Sequence, residues 1–369
     1  MKILGNWQAV VILIASTIPL FQTEQAVAEE PMLSLAALEA GLASHPPHLG
    51  DQSERQPLVD ALDAWVNRPD TVYWDNEPTR ANREFFQYYL GRIQKVLNEV
   101  QAEKVESGVM IWKLYSSGLI VKTPETVFAI DVVEGPFKKI DRSPADDAEY
   151  LFKWTPAMRA QFAETVDTLF ITHRHYDHTS YALVKELIAH EKTVVVPEDL
   201  KERTWKRQPF YEQLTVLGEK PVYTIGQLQV RVFHAVQAMQ RNAENKYYVL
   251  DTDPDHNVYL IRTKDGTTFL HNGDNRGIHF MPWLKSAILQ GWKPDVWFKI
   301  LAWPKGVIQE IASVTDPLII PAHEYEMGHK PKYGTSKLGH YFRGEYKRWM
   351  EAERLVVLTW GEKLRFEKL

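Results

Sequence analysis

Thr172-His173-Arg174-His175-Tyr176-Asp177-His178 follows directly on the apolar run Val166-Asp167-Thr168-Leu169-Phe170-Ile171, and this junction decides how the chain is read. An apolar run of that length ending in polar residues predicts a buried strand that delivers its last residues to a sheet edge. In extended chain, alternate side chains share a face, so His173 and His175 can grip one ion together. A turn after Tyr176 then swings Asp177 and His178 toward a neighbouring ion. Neutral imidazole suits zinc and related transition metals, and a carboxylate completes the ligand set.

Three further candidates each follow an apolar strand. Val230-Arg231-Val232-Phe233 precedes His234, Thr268-Phe269-Leu270 precedes the loop carrying Asp274, and Pro317 to Ile320 precedes His323. Strand ends on one edge of a two-sheet body converge on a single cleft. Asp131, closing the strand from Val127, is placed to orient a ligand imidazole. His271 is read as lining or supporting the site. His329 either contacts substrate, where it can protonate a leaving group, or has a surface or supporting role. His190, His256 and His279 are read as ordinary.

The order His173-x-His175-x-Asp177-His178, His234, Gly273-Asp274, His323 resembles the metallo-β-lactamase fold superfamily of metal-dependent hydrolases, over residues 108–340. The resemblance implies an α/β fold: an αββα sandwich of two mixed sheets with outer helices and a two-metal site. By it, His173, His175 and His234 hold the first metal. Asp177, His178 and His323 hold the second, and Asp274 bridges them. Within the superfamily, Asn257-Val258-Tyr259-Leu260-Ile261, Asp265-Gly266 and Asn272-Gly273-Asp274 are similar to one branch. It contains ascorbate-phosphate lactonases and phospholipase D-like enzymes acting on N-acyl phospholipids. The chain has no cysteine and places Asp274 where zinc β-lactamases commonly carry another residue, which disfavours antibiotic hydrolysis. It also lacks the Glu and Asp pattern of the flavodiiron branch, which disfavours electron transfer.

That site implies two divalent cations, zinc by default with manganese or iron open, about 3.5–4 Å apart and sharing a water whose pKa falls to about 7. The resulting hydroxide is expected to attack an ester, lactone or phosphodiester, with Asp177 and Asp274 the catalytic carboxylates. The alternative is an inactive metal-binding scaffold of the same fold that binds a ligand or partner. Expected substrates are small molecules or lipid-like. A formal charge of −5 without a long Lys/Arg block argues against a nucleic-acid partner.

Outside this body, residues 1–28 read as a signal peptide. Lys2 supplies the positive end, Ala9 to Leu20 the apolar run, and Ala26-Val27-Ala28 the cleavage site, with the cut after Ala28. The expectation is a periplasmic or secreted protein with no integral span after cleavage. Residues 29–105 read as a helical N-terminal extension. Leu58, Leu62 and Trp65 recur at helical spacing, as do Phe86, Leu90, Ile93, Leu97 and Val100 in a helix opened by Pro78-Thr79. Its task is either packing or substrate gating. Residues 106–369 form the hydrolase-like domain, and 44% hydrophobic content is enough for its core.

Overall fold

The structure, a computed structural model, describes residues 33–68, 80–135, 153–218, 220–236, 240–241, 247–248, 255–275, 280–300, 305–325, 327 and 337–368. The signal-peptide segment, the Thr79 cap, His279 and His329 lie outside the described residues. Among those described, no helix is long and apolar enough to cross a membrane.

The extension is helical, as its periodicity requires. Helix α1 (Leu35–Ser44) starts at Ser34, whose hydroxyl accepts from the Ala37 amide at 3.2 Å. Helices α2 (Gln56–Asn67) and α3 (Arg80–Ala102) follow. In α3 the buried stripe is Phe85, Tyr89, Ile93, Val96, Leu97 and Val100. Phe86 and Leu90 are only partly buried, so the face is rotated by one residue from the expected stripe at its N-terminal half. Rings at 85 and 89 take the inward positions: Tyr89 packs edge-on against Trp360 at 5.2 Å between ring centroids. Arg55, just ahead of α2, is fully buried and grips both oxygens of Glu362 at 2.6 Å. Removing either partner of such a pair costs about 3–5 kcal/mol, because it strands a buried charge.

The first sheet begins as a meander: β1 (Val109–Lys113), β2 (Leu119–Lys122) and β3 (Val127–Ile130), paired antiparallel. Helix α4 (Pro156–Thr165), strand β4 (Thr168–Phe170), helix α5 (Tyr181–Ala189), strand β5 (Thr193–Val195) and strand β6 (Leu214–Thr215) come next. From β3 through β6 the pairing is parallel. The second sheet holds β7 (Tyr223–Ile225) and β8 (Leu228–Val236). A two-stranded ribbon, β9 (Gln240–Arg241) and β10 (Tyr247–Tyr248), separates them from β11 (Asp255–Arg262) and β12 (Thr268–His271). Helix α6 (Met281–Leu289), strand β13 (Val296–Ile300), helix α7 (Lys305–Thr315) and strand β14 (Leu318–Ala322) complete the second sheet. Helix α8 (Gly344–Glu351) and strand β15 (Lys363–Phe366) end the chain, and β15 returns to the free edge of β1.

The orders are β15-β1-β2-β3-β4-β5-β6 and β14-β13-β12-β11-β8-β7. Both sheets are mixed, and each turns parallel where helices supply the crossovers. Between them lies an apolar layer in which Ile111, Val121, Phe128 and Phe170 meet Val230, Tyr259, Phe269, Phe298 and Ile320. A separate apolar cluster joins helix residues such as Val96, Phe162, Leu187 and Leu284 to the other sheet faces, with Trp112 and Trp297 in it. This is the expected αββα sandwich with its helical extension. Parallel pairing gives β3 and β4 a common direction, as it does β12 and β14, so the residues after these strands leave at strand C-termini.

Candidate metal centre

Strand β4 stops at Phe170, and the segment beyond it is a turn, with the His178 amide donating to the His175 carbonyl at 3.0 Å. The bend begins at Arg174, earlier than the expected turn after Tyr176. It still brings the histidines together: His173 Nε2 lies 3.0 Å from His175 Nδ1, and the His173 and His178 ring centroids are 4.0 Å apart.

Two groups of donor atoms result, each lying within 4.8 Å of one another: Asp177, His178, Asp274 and His323 in one, and His173, His175 and Asp274 in the other. Asp274 belongs to both. His323 Nε2 donates to Asp177 Oδ2 at 2.9 Å and lies 3.4 Å from Asp274 Oδ1. His178 Nε2 is 3.2 Å from Asp274 Oδ1 and 3.5 Å from Asp177 Oδ2.

The supporting contacts explain this convergence. Asp131 is fully buried with φ +48°, which ends β3 and turns its carboxylate back. That carboxylate accepts from the Thr172 amide and hydroxyl, both at 2.7 Å, and pairs with His178 Nδ1 at 2.7 Å. With Nδ1 so engaged, Nε2 is the nitrogen left facing the donor group. Gly273, at φ +45°, makes the tight turn before Asp274. A Cβ there would sit 2.6 Å from both the His256 ring and the Thr172 hydroxyl. His271, the last residue of β12, accepts from the Gly273 amide through Nδ1 at 3.0 Å.

His234 stands apart from the other expected ligands. Strand β8 does not end at Phe233 but continues through Val236, with His234 opposite Asn257 in the β8–β11 ladder. The imidazole is exposed, donates through Nε2 to the Gly218 carbonyl at 2.8 Å, and has Nδ1 3.1 Å from Asn257 Oδ1. It joins neither donor group. Asn257, its partner on the same face, is buried, and its backbone amide donates to the Thr172 carbonyl at 2.8 Å.

His256, read as ordinary, belongs to the site's frame. It is fully buried, stacks on His173 at 4.8 Å, and its Nε2 accepts from the Asp274 amide at 2.9 Å. Burial pushes it down to about 3, so it stays neutral and keeps that lone pair. Its signal was positional: it sits one residue from Asn257 at the head of a strand, on the opposite face.

The electrostatics separate the two groups. Burial penalises a charged His178, yet the carboxylates of Asp177, Asp274 and Asp131 hold its pKa well above the ordinary value. His323 is raised the same way, against burial, by Asp274 and Asp177. Burial disfavours the Asp177 carboxylate, but His178 and His323 keep it ionised. His173 is pushed well below its usual value by burial and then by His178 and His175.

The donors fit a divalent cation. Asp177 Oδ1 is buried without a hydrogen-bond partner, a costly arrangement unless a cation engages its lone pairs, and His178 Nε2 faces the same carboxylates. Mixed imidazole and carboxylate donors suit borderline ions such as zinc, manganese or iron.

An αββα sandwich with histidines and aspartates gathered at its strand ends defines the metallo-β-lactamase fold. Residues 113–279 match the family described as beta-lactamase superfamily domain. Among solved structures, the chain is similar to a possible metal-dependent hydrolase from Veillonella parvula (13% identity, TM-score 0.49, covering 70% of this chain and 100% of that one). It is also similar to an isothiocyanate hydrolase from Delia radicum gut bacteria (13%, 0.48, 70% and 99%). A third is CmlA, a diiron beta-hydroxylase from Streptomyces venezuelae (15%, 0.45, 72% and 55%). A search of curated proteins finds no match.

Proposed function

We propose that this protein is an exported metal-dependent hydrolase acting on an ester, lactone or phosphodiester of small-molecule or lipid-like character. The observation that carries the reading is the convergence of Asp177, His178, Asp274 and His323 from three separate strand ends. A divalent cation bound there supplies Lewis acidity and lowers the pKa of water to about 7. The chain's own residues set the geometry: Asp131 fixes the His178 ring, His256 holds the Asp274 amide, and Asp177 lies between His178 and His323. Export rests on the charged end, apolar run and cleavage site within residues 1–28.

The position of His234 favours a second reading, in which the His173, His175 and Asp274 group lacks a third histidine and the protein is a metal-binding scaffold without turnover. Metal analysis of the purified protein, with a panel of lactones, carboxylic esters and phosphodiesters assayed with and without added zinc or manganese, separates the two. Metal-dependent turnover of any panel member supports the hydrolase. Tight metal binding with no turnover across the panel supports the scaffold.

A further inference from the structure

We infer that the N-terminal helices are a positioning element for His323, acting through a buried chain of contacts from Asp63 to Tyr341 to Glu324. The inference rests on the reading of His323 as a metal ligand. Its starting point is the backbone at the end of β14, where His323 has φ +70° and Tyr325 φ +60°. Two non-glycine residues in the left-handed region within three positions are strained and persist only where surroundings enforce them. This turn carries the one donor contributed by β14, so whatever enforces it sets where the imidazole stands.

The contacts that hold the turn reach back to the extension. Between His323 and Tyr325, the Glu324 side chain is buried and accepts from the Tyr341 hydroxyl at 2.5 Å. Tyr341 belongs to the short 3-10 turn Gly339–Phe342, and the amides that open this turn are held from α2. Asp63 Oδ1 accepts from the Leu338 amide and Oδ2 from the Gly339 amide, both at 2.9 Å. Asp63 is itself buried, and a side chain at Gly339 would run into Asp60 and Asp63, so helix and turn meet without slack. Tyr325 packs on Trp360 at 5.2 Å between centroids, and the Met327 amide donates to the Tyr115 hydroxyl at 2.6 Å. Tyr115 in turn packs edge-on against Tyr89 of α3 at 6.0 Å. The His323 amide donates to the Ser116 carbonyl at 3.0 Å, which also accepts from the buried Lys113 ammonium. Two of the extension's helices therefore reach the segment carrying the imidazole.

Simple packing would also place helices here. It would not link a carboxylate on α2, through two amides and one phenol, to the residue beside a candidate ligand. The test is stepwise zinc binding by the full chain, measured by competition with a chromophoric chelator, for wild type, His323→Ala, Tyr341→Phe, Asp63→Ala and the Asp63→Ala/Tyr341→Phe double variant. His323→Ala identifies the binding step that depends on that imidazole. Tyr341→Phe and Asp63→Ala are each expected to weaken that same step by about tenfold, the low end of the effect of removing a ligand's supporting partner. The other step should not move. The double variant should be no weaker than the worse single, because both residues act along one chain. If Asp63→Ala does not fold, Tyr341→Phe, which removes one oxygen, carries the test. Unchanged zinc steps in the variants, or equal loss at both steps, overturn the inference and leave the hydrolase reading standing. A wild-type protein that binds none of zinc, manganese and iron removes both.

Discussion

The two donor groups share Asp274 but are built differently. Around His178 and His323 every approach is braced: Asp131 fixes one ring through Nδ1, Asp177 bonds the other, and Glu324 anchors the turn between buried partners. The His173 and His175 pair rests on a turn, with Thr179 holding the His173 carbonyl at 2.8 Å and His256 stacked on its ring. The histidine expected to complete that pair stands in a strand and faces solvent. Preorganised donors bind more tightly than donors that must be gathered, so on the proposed reading tighter binding is expected at Asp177, His178, Asp274 and His323 than at His173 and His175.

The sharpest way to break that ranking is His178→Ala. It removes a central donor and strands Asp131 as a buried carboxylate without its partner, and it is expected to abolish the tighter zinc step and all metal-dependent turnover. Calorimetric zinc titration checks it; a tight step that survives contradicts the ranking. Next comes Gly273→Ala, which puts a methyl group 2.6 Å from His256 and the Thr172 hydroxyl in a left-handed turn. Chemical denaturation should show a loss of about 1–3 kcal/mol, with both zinc steps weakened, because Asp274 serves both groups.

A smaller effect concerns pH. Burial lowers Lys299 to about 8, against the pull of Glu324. An unfolded lysine keeps its proton to about 10.4. Between those values the unfolded chain binds more protons than the folded one, so this group's contribution to stability rises with pH across the window. The slope is at most about 1.4 kcal/mol per pH unit. Lys299→Met should flatten the rise between pH 8 and 10 in urea unfolding; an unaltered slope would place the titration elsewhere. The smallest effect is expected for His234→Ala. Its contacts are to the Gly218 carbonyl and Asn257, so both zinc steps should stay within about twofold of wild type, as for a surface substitution. Loss of either step would restore His234 to the ligand set.

Much of this was legible in the residues. The run from His173 to His178 and the apolar strands before Asp274 and His323 announced a two-sheet body with donors at strand ends. The helical spacing of Leu58, Leu62 and Trp65, and of Phe86, Leu90, Ile93, Leu97 and Val100, announced the extension. What failed did so for physical reasons. The end of β8 was placed at Phe233 because apolar residues stop alternating there. Ladder pairing with β11 carries the strand on to Val236, and the His234 ring is bonded to the Gly218 carbonyl and Asn257 instead of the cluster. His256 and Glu324 were invisible as site residues because their roles are contacts with a backbone amide and a distant phenol. The buried stripe of α3 began at Phe85 because ring packing against Trp360 and Trp65 outweighed the regular aliphatic spacing.

Anomalous diffraction from crystals grown with limiting zinc would show whether Asp177, His178, Asp274 and His323 form the principal cation site. The strongest anomalous peak is expected among those four side chains, with His234 still bonded to the Gly218 carbonyl. A strongest peak at His173 and His175 with His234 swung in to join them, or no peak in this cleft, would contradict it.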